Sequence, residues 1–146
     1  MNRVLHPLGR SLVALIFVLS GAGKLMNFGA TASMMGAAGF PVPELFLAGA
    51  IAFEILGGLA LALGFRTRLA SLALIVFLIP ATLIFHAGHL SDPGQAQTQM
   101  VEVLKNLAIL GALIRFVANG PGRLAFDHGD RSRSEFERQV EVRQAA

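Results

Sequence analysis

Glu54 stands at the middle of an apolar run from about Glu44 to Gly64, and it is the only charge deep within that run. If the run crosses a bilayer, Glu54 is buried in hydrocarbon, where a charge costs at least ~2.5–3.5 kcal/mol. A carboxylate so placed calls for a partner. Lys24 lies near the end of an earlier apolar run and Lys105 about one turn inside a later one, with Ser20, His86, Glu102 and Asn106 as further polar candidates. One acid against two lysines would neutralise Glu54 and leave a positive excess. Such a cluster can hold an anion, a quinone carbonyl or another polarised oxygen, and His86 can add a hydrogen bond or a proton relay. Each residue also has a plainer reading. Lys24 can snorkel to a headgroup, and His86 and His89 can be interfacial. Glu102 and Lys105 form an i,i+3 pair that stabilises a helix locally. Glu54 has no nearby end to snorkel to, so it carries the most weight.

The elements that position these residues follow from composition. Of 146 residues, 54% are hydrophobic and 14% charged, against roughly 25% charged in soluble domains. Mean hydropathy is +0.63. A soluble domain this short cannot hide that much apolar surface; a bilayer can. Four stretches reach spanning length of about 20 residues: about Arg10 to Phe28, Glu44 to Gly64, Leu69 to His86, and Met100 to Ala118. The first is read as a retained helix rather than a signal peptide, because three further spans follow. Residues 29–43 and 87–99 are read as links, the former ending in Phe40-Pro-Val-Pro43 and the latter turning at Asp92-Pro-Gly94. Gly64-Phe-Arg-Thr-Arg68 is a tight link joining the second and third helices.

Arginine sets the orientation. Arg3, Arg10, Arg66, Arg68, Arg115, Arg123, Arg131 and Arg133 flank one side, and residues 29–43 and 87–99 hold no Lys or Arg. The positive-inside rule then puts both termini in the cytoplasm and the polar set in the outer half. The basic excess is therefore a topology signal rather than a nucleic-acid surface. The fold expected is all-α, an antiparallel transmembrane four-helix bundle over residues 1–127, with a polar cytoplasmic tail at 128–146. Within that tail, Ser132 to Gln144 reads equally as an amphipathic surface helix or a solvated segment. Gly21, Ala22 and Gly23, Gly57, Gly58, Ala60, Ala62 and Gly64, and Ala108, Gly111 and Ala112 offer close helix contacts. Pro80 should kink the third helix.

Other chemistry has little support. No cysteine is present, which excludes disulfides, thiolate sites and cysteine nucleophiles. His86 and His89 resemble half of a metal site with no third ligand close in sequence. Both lie at one end of one helix, which does not suit haem ligation from facing helices. Neither metal nor haem is expected.

The same positions carry a family resemblance. Arg10 with Phe17-Val-Leu-Ser-Gly21 and Lys24, Gly39-Phe-Pro41, Glu54 with Gly57-Gly58, Leu63-Gly-Phe-Arg66, Phe85-His86, and Lys105-Asn-Leu-Ala-Ile-Leu-Gly111 together resemble the DoxX family, over about residues 8–127. The resemblance implies a four-helix protein of the bacterial inner membrane. It also implies association with quinone-linked redox or oxidative-stress enzymes, as an accessory subunit more than a self-contained enzyme. Three functions stay open: a redox-complex subunit with a quinone or small-molecule pocket, a small-molecule or proton transporter, and a non-catalytic scaffold. Self-association is left open as well.

Overall fold

The computed structural model describes residues 2–122 and 125–127. The amphipathic segment expected at Ser132 to Gln144 lies outside the described residues, as do Arg123, Arg131 and Arg133. The described residues form helices and turns with no strand. The helices are α1 (Asn2–Met26), α2 (Phe28–Ala37), α3 (Pro43–Leu63), α4 (Thr67–Phe85) and α5 (Ala96–Asn119), with one 3-10 turn at Ala87–His89 between the last two.

The long helices begin and end for local reasons. α1 starts about two turns before the expected span, with Pro7 inside it. Pro43 occupies the first turn of α3, where its missing N–H is no loss. Gly64 closes α3 in the left-handed region at φ 72°, and its N–H and that of Phe65 bond to Leu61 and Ala60 carbonyls. α5 begins at Ala96, four residues before the expected boundary, and so brings Gln99 into the helix.

Residues 29–43, expected as a plain link, contain α2 instead. Only Asn27 separates α1 from α2. The segment Phe28-Gly-Ala-Thr-Ala-Ser-Met-Met-Gly-Ala has small and apolar residues without the periodicity that marks a helix in sequence. It is held by packing: Ala32 and Met35 are buried against Leu47 and Ile51 of α3, with Phe40 and Phe85 alongside.

α1 packs along α3, α3 along α4, and α4 along α5. Ala14, Phe17, Leu61, Leu74, Leu78, Ile109 and Leu113 from these four helices form one core. Glycine sets the α1–α3 distance. A Cβ on Gly58 would lie 3.2 Å from the Ala14 carbonyl oxygen, and one on Gly21 would lie 2.8 Å from Ile55 Cγ1. Gly57 meets Leu74 of α4 in the same way. Gly23 and Gly111 do not serve as expected: nothing lies within 4 Å of where their Cβ would stand.

Three helical stretches are long and apolar enough to cross a membrane, namely Val4–Met26, Pro43–Leu63 and Thr67–His89. At most 28% of each is buried within the protein. Outward-facing Leu56 and Val76 are 66% and 68% exposed, the pattern of a surface that meets lipid rather than water. The stretch expected as a fourth span lies in α5, which is long enough but falls outside this set by composition. Gln97, Gln99, Glu102, Lys105 and Asn106 crowd its first half.

Candidate functional site

The polar residues fall into two groups on opposite walls of one space. On the α1–α3 wall, Lys24 Nζ donates to both Glu54 oxygens at 2.9 Å. Ser20 Oγ donates to Glu54 Oε1 at 3.0 Å and accepts from Lys24 Nζ at 2.6 Å. The three close a triangle because Ser20 and Lys24 are one turn apart on α1, facing α3 at the glycine crossing. Glu54's side chain is 5% exposed and that of Lys24 29%, so the acid is enclosed while the ammonium reaches the edge.

On the α4–α5 wall, Lys105 Nζ pairs with Glu102 Oε2. His86 Nε2 faces the same oxygen at 4.0 Å, and its Nδ1 lies 2.8 Å from Gln99 Oε1. Asn106 is buried and donates to Thr82 Oγ1 at 3.0 Å, while Thr82 Oγ1 donates to the Leu78 carbonyl at 2.7 Å. Lys105 therefore does not join Lys24 at Glu54. The excess of positive charge expected there is absent, because each lysine has its own carboxylate. Helix register decides this, since Glu102 is one turn from Lys105 on the same face of α5.

Both walls line a cavity of about 780 Å³. Ser20, Lys24, Glu54, His86, Glu102, Lys105 and Asn106 are among its polar lining residues, joined by Gln95 and Gln99; Phe17, Leu47, Phe77, Leu78 and Phe85 belong to its apolar surface. All the candidate residues read from sequence thus border one space, although as two paired groups rather than one cluster. Phe85 is in turn stacked on Phe40 with ring centroids 5.8 Å apart, and Phe40 is edge-on to Phe46 at 5.3 Å. His89 also borders the cavity, but among the described residues no three potential metal ligands gather.

Sequence reasoning passed over Gln95, Gln99 and Thr82. The two glutamines lay in the presumed link, ahead of an α5 start placed four residues too late. Thr82 is a common helix residue whose role appears only when Asn106 faces it.

The opposite end of the bundle is tied differently. Arg10, read from sequence as an orientation marker, is 2% exposed. Its Nε donates to the Ala62 carbonyl at 3.1 Å and its Nη1 to the Pro121 carbonyl at 3.0 Å, which joins α1, α3 and the segment after α5. The Asp127 carboxylate accepts from the backbone N–H of Arg66 at 2.6 Å and of Thr67 at 2.8 Å. It caps α4 from a distant part of the chain, at the positive end of the helix dipole.

Comparison with known proteins finds relatives in the inner membrane. The DoxX family model matches residues 6–87, more than half of the chain. The inner membrane protein YphA of Escherichia coli is 30% identical over 124 residues, covering 85% of this chain and 89% of its own length. The E. coli inner membrane protein YqjF is 30% identical over 118 residues, covering 81% and 85%. No solved structure matches. With three helices able to cross a bilayer and relatives of this kind, this chain is an inner membrane protein, and it belongs to the DoxX family.

Proposed function

We propose that the chain is an accessory subunit of a quinone-linked redox or oxidative-stress complex, and that its cavity holds a lipid-soluble ligand with a polar head. The cavity itself carries this reading: about 780 Å³ with apolar walls and converging charged groups. Ligand sites commonly run ~300–1,000 Å³ and combine apolar walls with a few placed polar groups. A quinone suits that chemistry, its ring against Phe77 and Phe85 and a carbonyl toward a lysine. The electrons would be the ligand's, and the protein would supply orientation and electrostatics.

In this reading α5 is a fourth span, both termini are cytoplasmic and the cavity faces outward. Support comes from the arginine pattern and from α5 itself, which buries Asn106 and turns Leu104, Leu107 and Ile114 outward. Such polar-in, apolar-out placement is how a helix of modest hydropathy crosses a bilayer. A scaffold is the second reading, favoured by the direct Lys24–Glu54 pair, which satisfies itself without a ligand. Transport has less support, because Ala14, Leu61, Leu74 and Leu113 close the core between the cavity and the Arg10 end.

Protein purified in native-lipid discs and extracted with solvent should release quinone in stoichiometric amount, and Glu54→Gln should lower that yield about tenfold. No quinone in the wild type, with normal respiration and oxidant tolerance in a Glu54→Gln strain, would reject the proposal in favour of the scaffold.

A further inference from the structure

We propose that Asp92, Gln95 and Gln99 form a one-directional hydrogen-bond relay that holds His86 as the Nδ1–H tautomer, leaving Nε2 as an uncharged hydrogen-bond acceptor for a ligand bearing a hydroxyl or N–H donor. The ligand half of this statement rests on the cavity reading above; the tautomer half does not.

The direction of the relay is forced from its outer end. Asp92 is exposed, and an ionised carboxylate only accepts. Its Oδ1 accepts the Gly94 N–H at 3.0 Å, and its Oδ2 lies 3.1 Å from Gln95 Nε2. Gln95 must therefore donate through its amide nitrogen, which leaves its oxygen for the next residue. That oxygen is 3.3 Å from Gln99 Nε2. Gln99 in turn presents its oxygen to His86 Nδ1 at 2.8 Å. An amide oxygen cannot donate, so Nδ1 carries the proton. Reversing any one amide would set two donors or two acceptors against each other along the chain.

The other ring nitrogen is then fixed by geometry. Nε2 lies 4.0 Å from Glu102 Oε2, too far for a hydrogen bond, and both residues line the cavity. That oxygen is already held by Lys105. Lys24 and Lys105 are donors only. In a neutral ring, Nε2 therefore offers a lone pair that a ligand's donor can use. Amide groups do not pass protons readily, so the relay orients His86 rather than wiring it to solvent. Asp92 acts through two amides and is a positioning residue.

The test is nitrogen NMR of histidine-labelled full-length protein in lipid nanodiscs at alkaline pH, with His86 assigned from a His86→Asn variant. The wild type should show a protonated Nδ1 and an unprotonated Nε2. Gln99→Leu and the surface variant Asp92→Asn should each shift the tautomer ratio about fivefold toward Nε2–H, the scale of one hydrogen bond's net worth. A wild-type ring protonated at Nε2, or an unchanged ratio in Asp92→Asn, overturns the relay whatever the cavity does. On the ligand side, para-heptylphenol should move the Nε2 resonance and its methyl ether should not. An Nδ1–H ring that responds to neither probe, or equally to both, overturns the acceptor role and counts against the cavity reading, while the relay stands.

Discussion

Lys24 Nζ sits 2.9 Å from each oxygen of Glu54, so a single ammonium bridges a carboxylate that is itself enclosed. The two partners differ in their escape routes. Lys24 is 29% exposed and can swing its head to the interface. Glu54 is 5% exposed and cannot. Lys24→Met should therefore destabilise by about 3 kcal/mol, because it strands a buried charge. Glu54→Leu should cost about 1 kcal/mol or less, because the apolar side chain suits the buried site and Lys24 can reach the interface. The double variant should lie nearer to Glu54→Leu than to Lys24→Met. Unfolding titrations in mixed micelles measure all three, and a larger loss in Glu54→Leu would contradict the asymmetry.

Arg10 tests the opposite end. Arg10→Ala removes donors from the Ala62 and Pro121 carbonyls, each of which costs ~1–3 kcal/mol when left buried and unpaired. The expected loss is about 2–4 kcal/mol. Arg10→Lys should recover only part of it, since an ammonium lacks the planar fork that reaches both. Equal stability of Arg10→Ala and wild type in the same titrations would show that the contact contributes nothing.

Asp127→Ala removes the cap of α4. The amides of Arg66 and Thr67 lose their acceptors, and a lost cap typically costs ~1 kcal/mol. Hydrogen exchange at these two amides should quicken by about fivefold, with little change at Leu74 or Leu78 in mid-helix.

Two glycines give opposite signs. A Cβ on Gly111 meets nothing within 4 Å, so Gly111→Ala should stabilise by about 0.5–1 kcal/mol through helix propensity. A Cβ on Gly58 would press on Val18 Cγ2 at 2.9 Å and on the Ala14 carbonyl at 3.2 Å. Gly58→Ala should destabilise by about 1–3 kcal/mol, because the backbone oxygen cannot yield without parting α1 from α3. Thermal unfolding of the pair in one detergent checks both signs.

Topology can be read without background, because the sequence has no cysteine. Ser91→Cys and Phe65→Cys both place a thiol at an exposed position, in the turn before α5 and in the α3–α4 link. An impermeant maleimide should label Ser91→Cys in intact spheroplasts and Phe65→Cys only after lysis. The reverse pattern would invert the proposed orientation.

The sequence made the long helices legible because hydrophobic length, Pro43 and Gly64 mark them without help from tertiary structure. α2 was hidden because its residues carry no period; Leu47 and Ile51 hold it, and they lie elsewhere in the chain. Glu54 and Lys24 could be paired from sequence because each is anomalous in an apolar run. The partner of Lys105 could be named only as a local alternative, since the choice between Glu54 and Glu102 depends on where α5 sits against α3. The depth of Arg10 left no trace at all: an arginine near a span start looks the same whether it marks topology or fastens three segments.

Those fastenings make the two ends of the molecule mechanically unequal. Arg10 and Asp127 clasp α1, α3, α4 and the segment after α5 at one end. At the other end the α1–α3 wall and the α4–α5 wall each satisfy their own charges, and among the described residues no ion pair crosses between them. The base is thus fastened by directional hydrogen bonds, whereas the cavity end is joined across its walls by apolar contact, Phe85 of α4 stacking on Phe40 beside Leu47 and Ile51. Apolar contacts have no fixed direction and tolerate a small slide that a hydrogen bond does not, so the two ends of one bundle are held by unlike kinds of joint.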